Sequence, residues 1–392
     1  MKETHQFLIP DYYSDFSCKM GRCRSACCEG WPVSISMNNY FHLLGIECNA
    51  DLRRRLDCGV RVIDRPTEEE YARFEPRYDG SCPLRMEDGR CALHAELGEE
   101  VLPDVCRLYP RGIRTEDGMY EASCANSCEA VLELLIHKQE PIAFVSRELT
   151  VQLPPACERS SFFETLGVEQ RIRMYLISVI QDRSVPLVRR ILRLGEVLDE
   201  MDIAIKGRDK AKIEAIIRGQ CAFRPEESET VGVSEEHLRF GIDTVEQMIA
   251  ILDERSVSIR GCGEAALAYF GSGDHALEHY RTARAHFEEL LPDWEVFYEH
   301  MLVNHMFFSQ FPFQDRPDSM HSEYVALCAV YSIMRFLGLG CMAEGREEER
   351  LTDGMAAAFR LIDHTEFDRL ASHLLQRLGV SSREQLSDLI SL

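Results

Sequence analysis

Cys18, Cys23, Cys27 and Cys28 place four thiols within eleven residues, and Cys82, Cys91, Cys106, Cys124 and Cys128 follow. Nine of the sixteen cysteines therefore fall in the first third of the 392-residue chain. Thiolates are soft, strong ligands for zinc and for iron–sulfur clusters. A four-thiolate site draws its ligands from turns at different points of a chain. The spacings here are C-x4-C-x3-C-C, then C-x8-C, a lone Cys106, and C-x3-C. They match neither the C-x2-C pairs of a zinc ribbon nor the C-x2-C-x2-C ferredoxin run. Cys27 and Cys28 are adjacent, so their side chains diverge. One is expected to ligate while the other packs or serves a second centre. An iron–sulfur cluster is the first expectation, of the 4Fe–4S type. Structural zinc is the alternative, and disulfides or plain buried thiols come last. Cys48 and Cys58 lie outside the cluster and read as ordinary thiols.

Other residues offer weaker chemistry. Arg107, Tyr109 and Arg111 beside Cys106 form a candidate anion- or carboxylate-binding wall. His275 and His279 have a metal-capable i, i+4 spacing, but no third ligand is in view, and an exposed helix face is the plainer reading. Gly261-Cys262-Gly263 is a lone G-x-G, weak evidence for a nucleotide loop. Asn304–Phe313 is rich in aromatics and reads as helix core, with a substrate groove as the alternative. The chain has no P-loop, nucleophile elbow or kinase signature.

The elements that must hold these residues change character along the chain. Residues 1–17, with Pro10, Asp11, Tyr12, Tyr13 and Phe16, suggest an ordered segment that packs back on the body. Short strands are expected at 31–36, 60–63 and 120–123, and a helix over 38–56. Residues 59–80 read otherwise as an exposed connection. The stretch from Cys82 to Cys91 reads as a hairpin-like knuckle around the Glu87-Asp88-Gly89 turn. A short helix through Glu96 and Leu97 should end near Gly98, and another should begin at Cys128. From about residue 160, apolar residues recur at helical spacing over 168–182, 185–205, 208–218, 234–253, 275–291, 293–310, 322–339, 350–362, 366–378 and 382–391. Ser234 and Asp274 read as helix starts. The expected fold is mainly α: a small cysteine-rich metal-binding domain with short strands over 1–145, then an all-helical domain over 146–392. The boundary falls within 138–160, where Pro141, Pro154 and Pro155 break the pattern.

Composition sets outer bounds. Acidic residues outnumber basic ones 66 to 44, a formal net charge of −22. That argues against a nucleic-acid surface and suits a basic partner. Only six of the basic residues are lysines. The N-terminus lacks the basic and apolar regions of a signal peptide, and no apolar run is expected to reach the ~20 residues of a membrane span. A cytoplasmic location is expected, and in a reducing compartment clustered cysteines are more often ligands than disulfides.

Pro10–Tyr13, the Cys18–Cys28 cluster followed by Gly30-Trp31, Cys82-Pro83-Leu84, Cys91-Ala92-Leu93, Leu102-Pro103 through Cys106-Arg107-Leu108-Tyr109-Pro110-Arg111, and Ser123-Cys124 together resemble the bacterial flagellin lysine N-methylase family. The cysteine part is also similar to a broader group of CxxCxxCC-type zinc- or iron-chelating proteins. The first cluster here has wider spacing than that group's. The resemblance is most specific over residues 10–130, and Asn304–Phe313 carries it more weakly. It implies methyl transfer from S-adenosylmethionine to the ε-amine of flagellin lysines, with an iron–sulfur cluster. Methylation needs a neutral amine, which an aromatic, desolvated pocket favours. Tyr12, Tyr13 and Tyr109 are candidate walls for one. No methyl-donor motif is visible. A metal-handling protein and an iron–sulfur oxidoreductase are the alternative functions.

Overall fold

The computed structural model describes residues 2–24, 27–28, 33–116, 119–153, 168–219, 233–251, 257–270, 275–313, 319–342 and 348–392. Gly30, Trp31, Pro154, Pro155 and Asp274, singled out in the sequence, lie outside the described residues.

The first strand, β1 (Lys2–Pro10), joins distant parts of the chain. Strands β2 (Val33–Ile35), β3 (Val60–Val62) and β4 (Ala72–Phe74) follow it, then β5 (Arg111–Glu116), β6 (Met119–Cys124) and β7 (Phe144–Gln152). A four-stranded sheet has the order β5-β6-β1-β7. β1 runs parallel to β6, with Leu8 opposite Glu121, and antiparallel to β7 from Lys2↔Gln152 to Pro10↔Phe144. A separate three-stranded sheet, β2-β4-β3, is antiparallel throughout.

The N-terminal helices are α1 (Met37–Gly45), α2 (Ala50–Gly59), α3 (Ala92–Leu97), α4 (Asp104–Leu108) and α5 (Glu129–His137). The expected helix over 38–56 is two helices, because Asn49 caps the second by accepting the backbone N–H of Leu52. The knuckle appears as a bridge between Arg85 and Cys91. Residues 59–80 hold β3 and β4 rather than a bare connection beyond one strand.

The remaining helices are α6 (Glu169–Ile180), α7 (Leu187–Lys206), α8 (Lys210–Ile217), α9 (Glu235–Ala250), α10 (Val257–Phe270), α11 (Ala276–Leu290), α12 (Trp294–Phe308), α13 (Met320–Met342), α14 (Glu348–Ile362), α15 (Phe367–Arg377) and α16 (Arg383–Ile390). Ser234 caps α9 and Ser382 closes a capping box with Gln385 at α16. The chain is mainly helical, with its strands in the N-terminal part. Gly261-Cys262-Gly263 lies inside α10, so the weak nucleotide-loop reading falls: a phosphate loop must precede a helix, not run through one.

One helix corrects the expectation of no long apolar run. Met320–Gly340 is long and apolar enough to cross a membrane by length and composition, but 89% of its most apolar window is buried inside the protein. It is the central core helix, packed against α7, α9, α10, α11, α14, α15 and α16.

Burial divides into two clusters. The large one joins these helices to Phe7, Ile9, Tyr12, Tyr13, Cys124 and α5, so the sheet is part of the helical body. The small one, Ile35, Leu43, Leu52, Leu56, Ala72, Phe74, Leu84, Ala92 and Leu93, belongs to residues 33–102 alone. The expected 145/146 division falls inside β7.

Candidate metal centre and an adjoining polar cavity

Seven of the nine clustered cysteines line one cavity of about 450 Å3: Cys18, Cys23, Cys27, Cys28, Cys82, Cys91 and Cys106. The cavity lies where the small core meets the Cys18–Cys28 loop. Cys82 donates its backbone N–H to the Cys28 carbonyl at 2.8 Å, which joins loop to knuckle. Gly21 and Gly89 permit the crossing. Each has positive φ, +91° and +85°, and a Cβ on either would meet the other's carbonyl oxygen at 2.6 or 2.3 Å. Cys91 immediately precedes α3, and Cys106 lies within α4.

Cys128 stands just outside the lining, at the head of α5, close enough to Cys23 and Cys27 to disfavour their thiolates. Cys124 is fully buried in the helical body. The loop is clamped to that body by charge. Lys19 Nζ reaches Glu129 Oε1 at 2.5 Å and Glu133 Oε1 at 2.6 Å. Arg24 donates its backbone N–H to Glu129 Oε2 at 2.8 Å and its guanidinium to Asp353.

Twelve of the cysteines, all nine clustered ones among them, are outside any disulfide. Burial pushes Cys23 and Cys82 up to about 12 and Cys128 to about 11, and also raises Cys91, Cys106 and Cys124. Cys27 and Cys106 present surface to the cavity, yet the surrounding protein still holds them protonated. Cys28 is the exception, lowered to about 7 by a hydrogen bond from Cys27, with Arg85 adding to the effect. The adjacent side chains therefore meet rather than diverge as expected, and their hydrogen bond favours ionisation at Cys28 over Cys27. The electrostatic neighbours of Cys106 are Cys82, Cys91 and Cys28, while those of Cys23 include Cys128 and Cys18. Among the described residues, no three His, Cys, Asp or Glu side chains form a ready-made site for a metal ion.

The other candidate residues divide. Tyr109 lines the cysteine cavity. Tyr12 and Tyr13 are buried in the helical body; Tyr12 donates to Asn304 Oδ1 and Tyr13 lies under Arg111, 5.9 Å from its ring centroid. Arg111 also covers Phe16 at 4.7 Å, and Arg107 is tied to Asp104. Asn304, in the aromatic stretch, is a buried clasp: its Nδ2 donates to Cys124 O at 2.8 Å and Asn126 Oδ1 at 2.7 Å. His275 and His279 stand at the start of α11, with His275 exposed beside Glu278.

A second cavity, about 420 Å3, was not foreseen. It lies between β5, the end of α12, the start of α13 and the α14–α15 turn. The two cavities share a wall. Tyr109 Oη donates to Ser127, and Ser127 Oγ stands 2.8 Å from His364 Nε2. The His364 ring lies between Tyr109, at 5.9 Å, and Phe308, at 6.1 Å, and Phe308 lines the second cavity. Burial lowers the His364 pKa and keeps the ring neutral. Next to it, Asp363 accepts from Asn126 N at 3.0 Å and pairs with His305 Nδ1 at 2.9 Å. The signal available in the sequence was the polar run Asp363–Glu366 between two helical windows.

The fold and site define a mainly helical protein with a cysteine-lined cavity at the edge of its helical body. Residues 173–386 match the model of the FliB lysine N-methylase C-terminal domain, and the chain belongs to that lysine N-methylase family. It is 22% identical to the lysine-N-methylases of Salmonella typhimurium, over 143 residues, and Salmonella choleraesuis, over 144 residues. Each alignment covers 36% of this chain and 35% of the relative, so the chain spans about a third of those relatives' length. It is also 22% identical over 134 residues to the flagellar biosynthetic protein FliU of Salmonella muenchen, 34% of this chain and 79% of that protein. No solved structure matches the chain.

Proposed function

We propose that the protein transfers a methyl group from S-adenosylmethionine to the ε-amine of flagellin lysines, and that an iron–sulfur centre of the 4Fe–4S type occupies the cysteine cavity. The observation that carries the reading is family membership over residues 173–386. The flagellar name of one relative supports flagellin as the target. In the transfer, the neutral amine nitrogen forms a bond to the methyl carbon as the carbon–sulfur bond breaks. S-adenosylhomocysteine leaves, and the nitrogen loses its proton.

The seven thiols that line the cavity are soft donors suited to either centre. Mononuclear zinc would draw its thiolates to about 2.3 Å from one point, whereas a cluster would spread them over several iron atoms. Cys28, Cys82, Cys91 and Cys106, as mutual neighbours, are the proposed ligands. Bound there, the centre would hold these thiols as thiolates and cross-link the loop, knuckle and α4. A cytoplasmic location goes with a set of free thiols.

Protein purified without oxygen is incubated with methyl-labelled S-adenosylmethionine and flagellin. Label on flagellin lysines is expected, and unlabelled flagellin overturns the methylase reading. Iron and sulfide in equal amounts, with broad absorption near 400 nm, are expected; colourless protein with stoichiometric zinc replaces the cluster by zinc. Paired Cys28→Ser and Cys106→Ser changes should remove the iron, while Cys124→Ser should leave it in place.

A further inference from the structure

Two residues that line the second cavity carry buried donors with no acceptor among the described residues. Arg369 is one: its side chain is 41% exposed as a whole, yet its Nε is shut from solvent and unpartnered. The outer end of that guanidinium meets Glu366 through Nη2. Ser309 is the other, with a buried Oγ that also lacks a partner. A second guanidinium, Arg114, lines the same space, 6.0 Å from the centre of the Phe308 ring, and donates to the Phe308 carbonyl at 2.9 Å. A donor kept from water costs free energy until an acceptor meets it, and a charged donor costs more. The lining also holds the carboxylates Glu323, Asp363, Glu366 and Asp368. Asp363 is held by His305 and Asn126 N, Glu366 by Arg369, and Asp368 accepts the Arg369 backbone N–H at 2.8 Å. Four carboxylates against two guanidiniums disfavour a polyanion such as a phosphate ester. They suit a ligand whose single carboxylate is offset by positive charge of its own.

We propose that this cavity is the methyl donor's site, with the α-carboxylate of S-adenosylmethionine accepting from Arg369 Nε and Ser309 Oγ. This rests on the lysine methylase reading and gives the donor a place that no sequence motif marks. The donor carries one carboxylate together with an ammonium and a sulfonium, a net positive charge that suits the acidic lining. A carboxylate that accepts from a guanidinium N–H makes a charge-assisted hydrogen bond, stronger than a neutral one. Phe308 adds an aromatic surface for the adenine ring. The volume, about 420 Å3, is within the range of small-ligand sites. The cysteine cavity is then a neighbouring site across the Phe308–His364–Tyr109 wall.

The test uses the full chain, purified without oxygen, and two probes: S-adenosylhomocysteine and 5′-methylthioadenosine, which keeps the nucleoside and thioether but lacks the amino-acid end. Calorimetric titration should show S-adenosylhomocysteine binding at least about tenfold more tightly. Arg369→Met, which keeps an apolar stem and loses the guanidinium, should abolish that preference and leave the affinity for methylthioadenosine unchanged, a split that a misfolded variant would not give. Hydrogen exchange in wild type should slow over residues 363–372 with S-adenosylhomocysteine, a readout that needs no variant. Equal binding of the two probes, a preference that survives in Arg369→Met, or protection confined to the Cys18–Cys28 loop would overturn the site and leave the methylase reading intact. Binding as expected with no label passing from S-adenosylmethionine to flagellin would instead overturn the proposed activity and leave the site standing.

Discussion

Residues 33–102 and the helical body bury charge and apolar surface in unlike ways. The first has nine buried apolar side chains, and its ion pairs, such as Arg53–Asp57 and Arg54–Asp51, lie at the surface. Such exposed pairs contribute little. The helical body has a large continuous core and ion pairs sunk within it. Arg190 and Arg183 both reach the fully buried Glu299, with Arg190 Nη1 2.5 Å from Oε2. One region is stable by its own packing; the other is small enough to need outside ties. Those ties are the charged clamp at Glu129 and, in our reading, a metal centre.

The largest expected effect separates the two regions outright. Removing iron with a chelator under reducing conditions should expose residues 18–110 to trypsin while leaving 169–390 intact, as metal binding is coupled to folding. Equal resistance with and without iron would make the small region self-sufficient and erase the contrast. Next, Glu299→Ala takes the main anion from the buried Arg190 and from the half-buried Arg183 and should cost about 3–5 kcal/mol in urea unfolding. A change below about 1 kcal/mol would mean that packing alone carries the helical body. Third, Glu129→Gln weakens the hold on Lys19 and Arg24 and should cost about 1–3 kcal/mol. Its signature is faster cleavage between Cys18 and Cys28 with an unchanged core, read by mass spectrometry; simultaneous cleavage of both regions would show the clamp to be part of the large core.

The smallest effect is a pH slope. Burial lowers the pKa of His300, which donates Nδ1–H to Leu135 O at 3.0 Å in its neutral form, and burial also lowers His364. In the unfolded chain these groups take up protons near pH 6.5, earlier than in the fold. Their contribution is therefore complete above about pH 6.5 and declines as pH falls below it. His321 has the opposite sign, raised chiefly by its bond to Asp199, so its contribution is complete below that pH and fades as pH rises. Melting temperatures from pH 5.5 to 7.5 should rise through the lower half. A flat profile would show that His321 cancels the other two, and His321→Asn would then restore the slope.

The helical half was legible because its core faces repeat at 3.6 residues, from Leu187, Ile191 and Leu194 to Leu198 and Met201 on α7. α10 escaped because Gly261 and Gly263 lower helix propensity. Tertiary packing overrides that, since a Cβ on Gly263 would meet Ile249 Cδ1 at 2.6 Å. β1 and β7 escaped because their pairing spans more than 130 residues and no local turn announces it. The cysteine spacing pointed to a shared location, and seven of the nine line one cavity. Tyr12 and Tyr13 read as pocket walls because exposure is not visible in residue type; they lie in the large core. His364 gave only the faint signal of the polar run Asp363–Glu366, because polar residues between two helices usually cap or face water.

The long-range pairing of β1 also sets an order of events. β1 leaves the ribosome first, yet its partners β6 and β7 are complete only at Cys124 and Gln152. At roughly 5–20 residues per second, all the cavity's thiols are synthesised several seconds before the last strand can close beside β1. During synthesis the edge of β1 that receives β7 thus stays unpaired for those seconds, with the thiols already made.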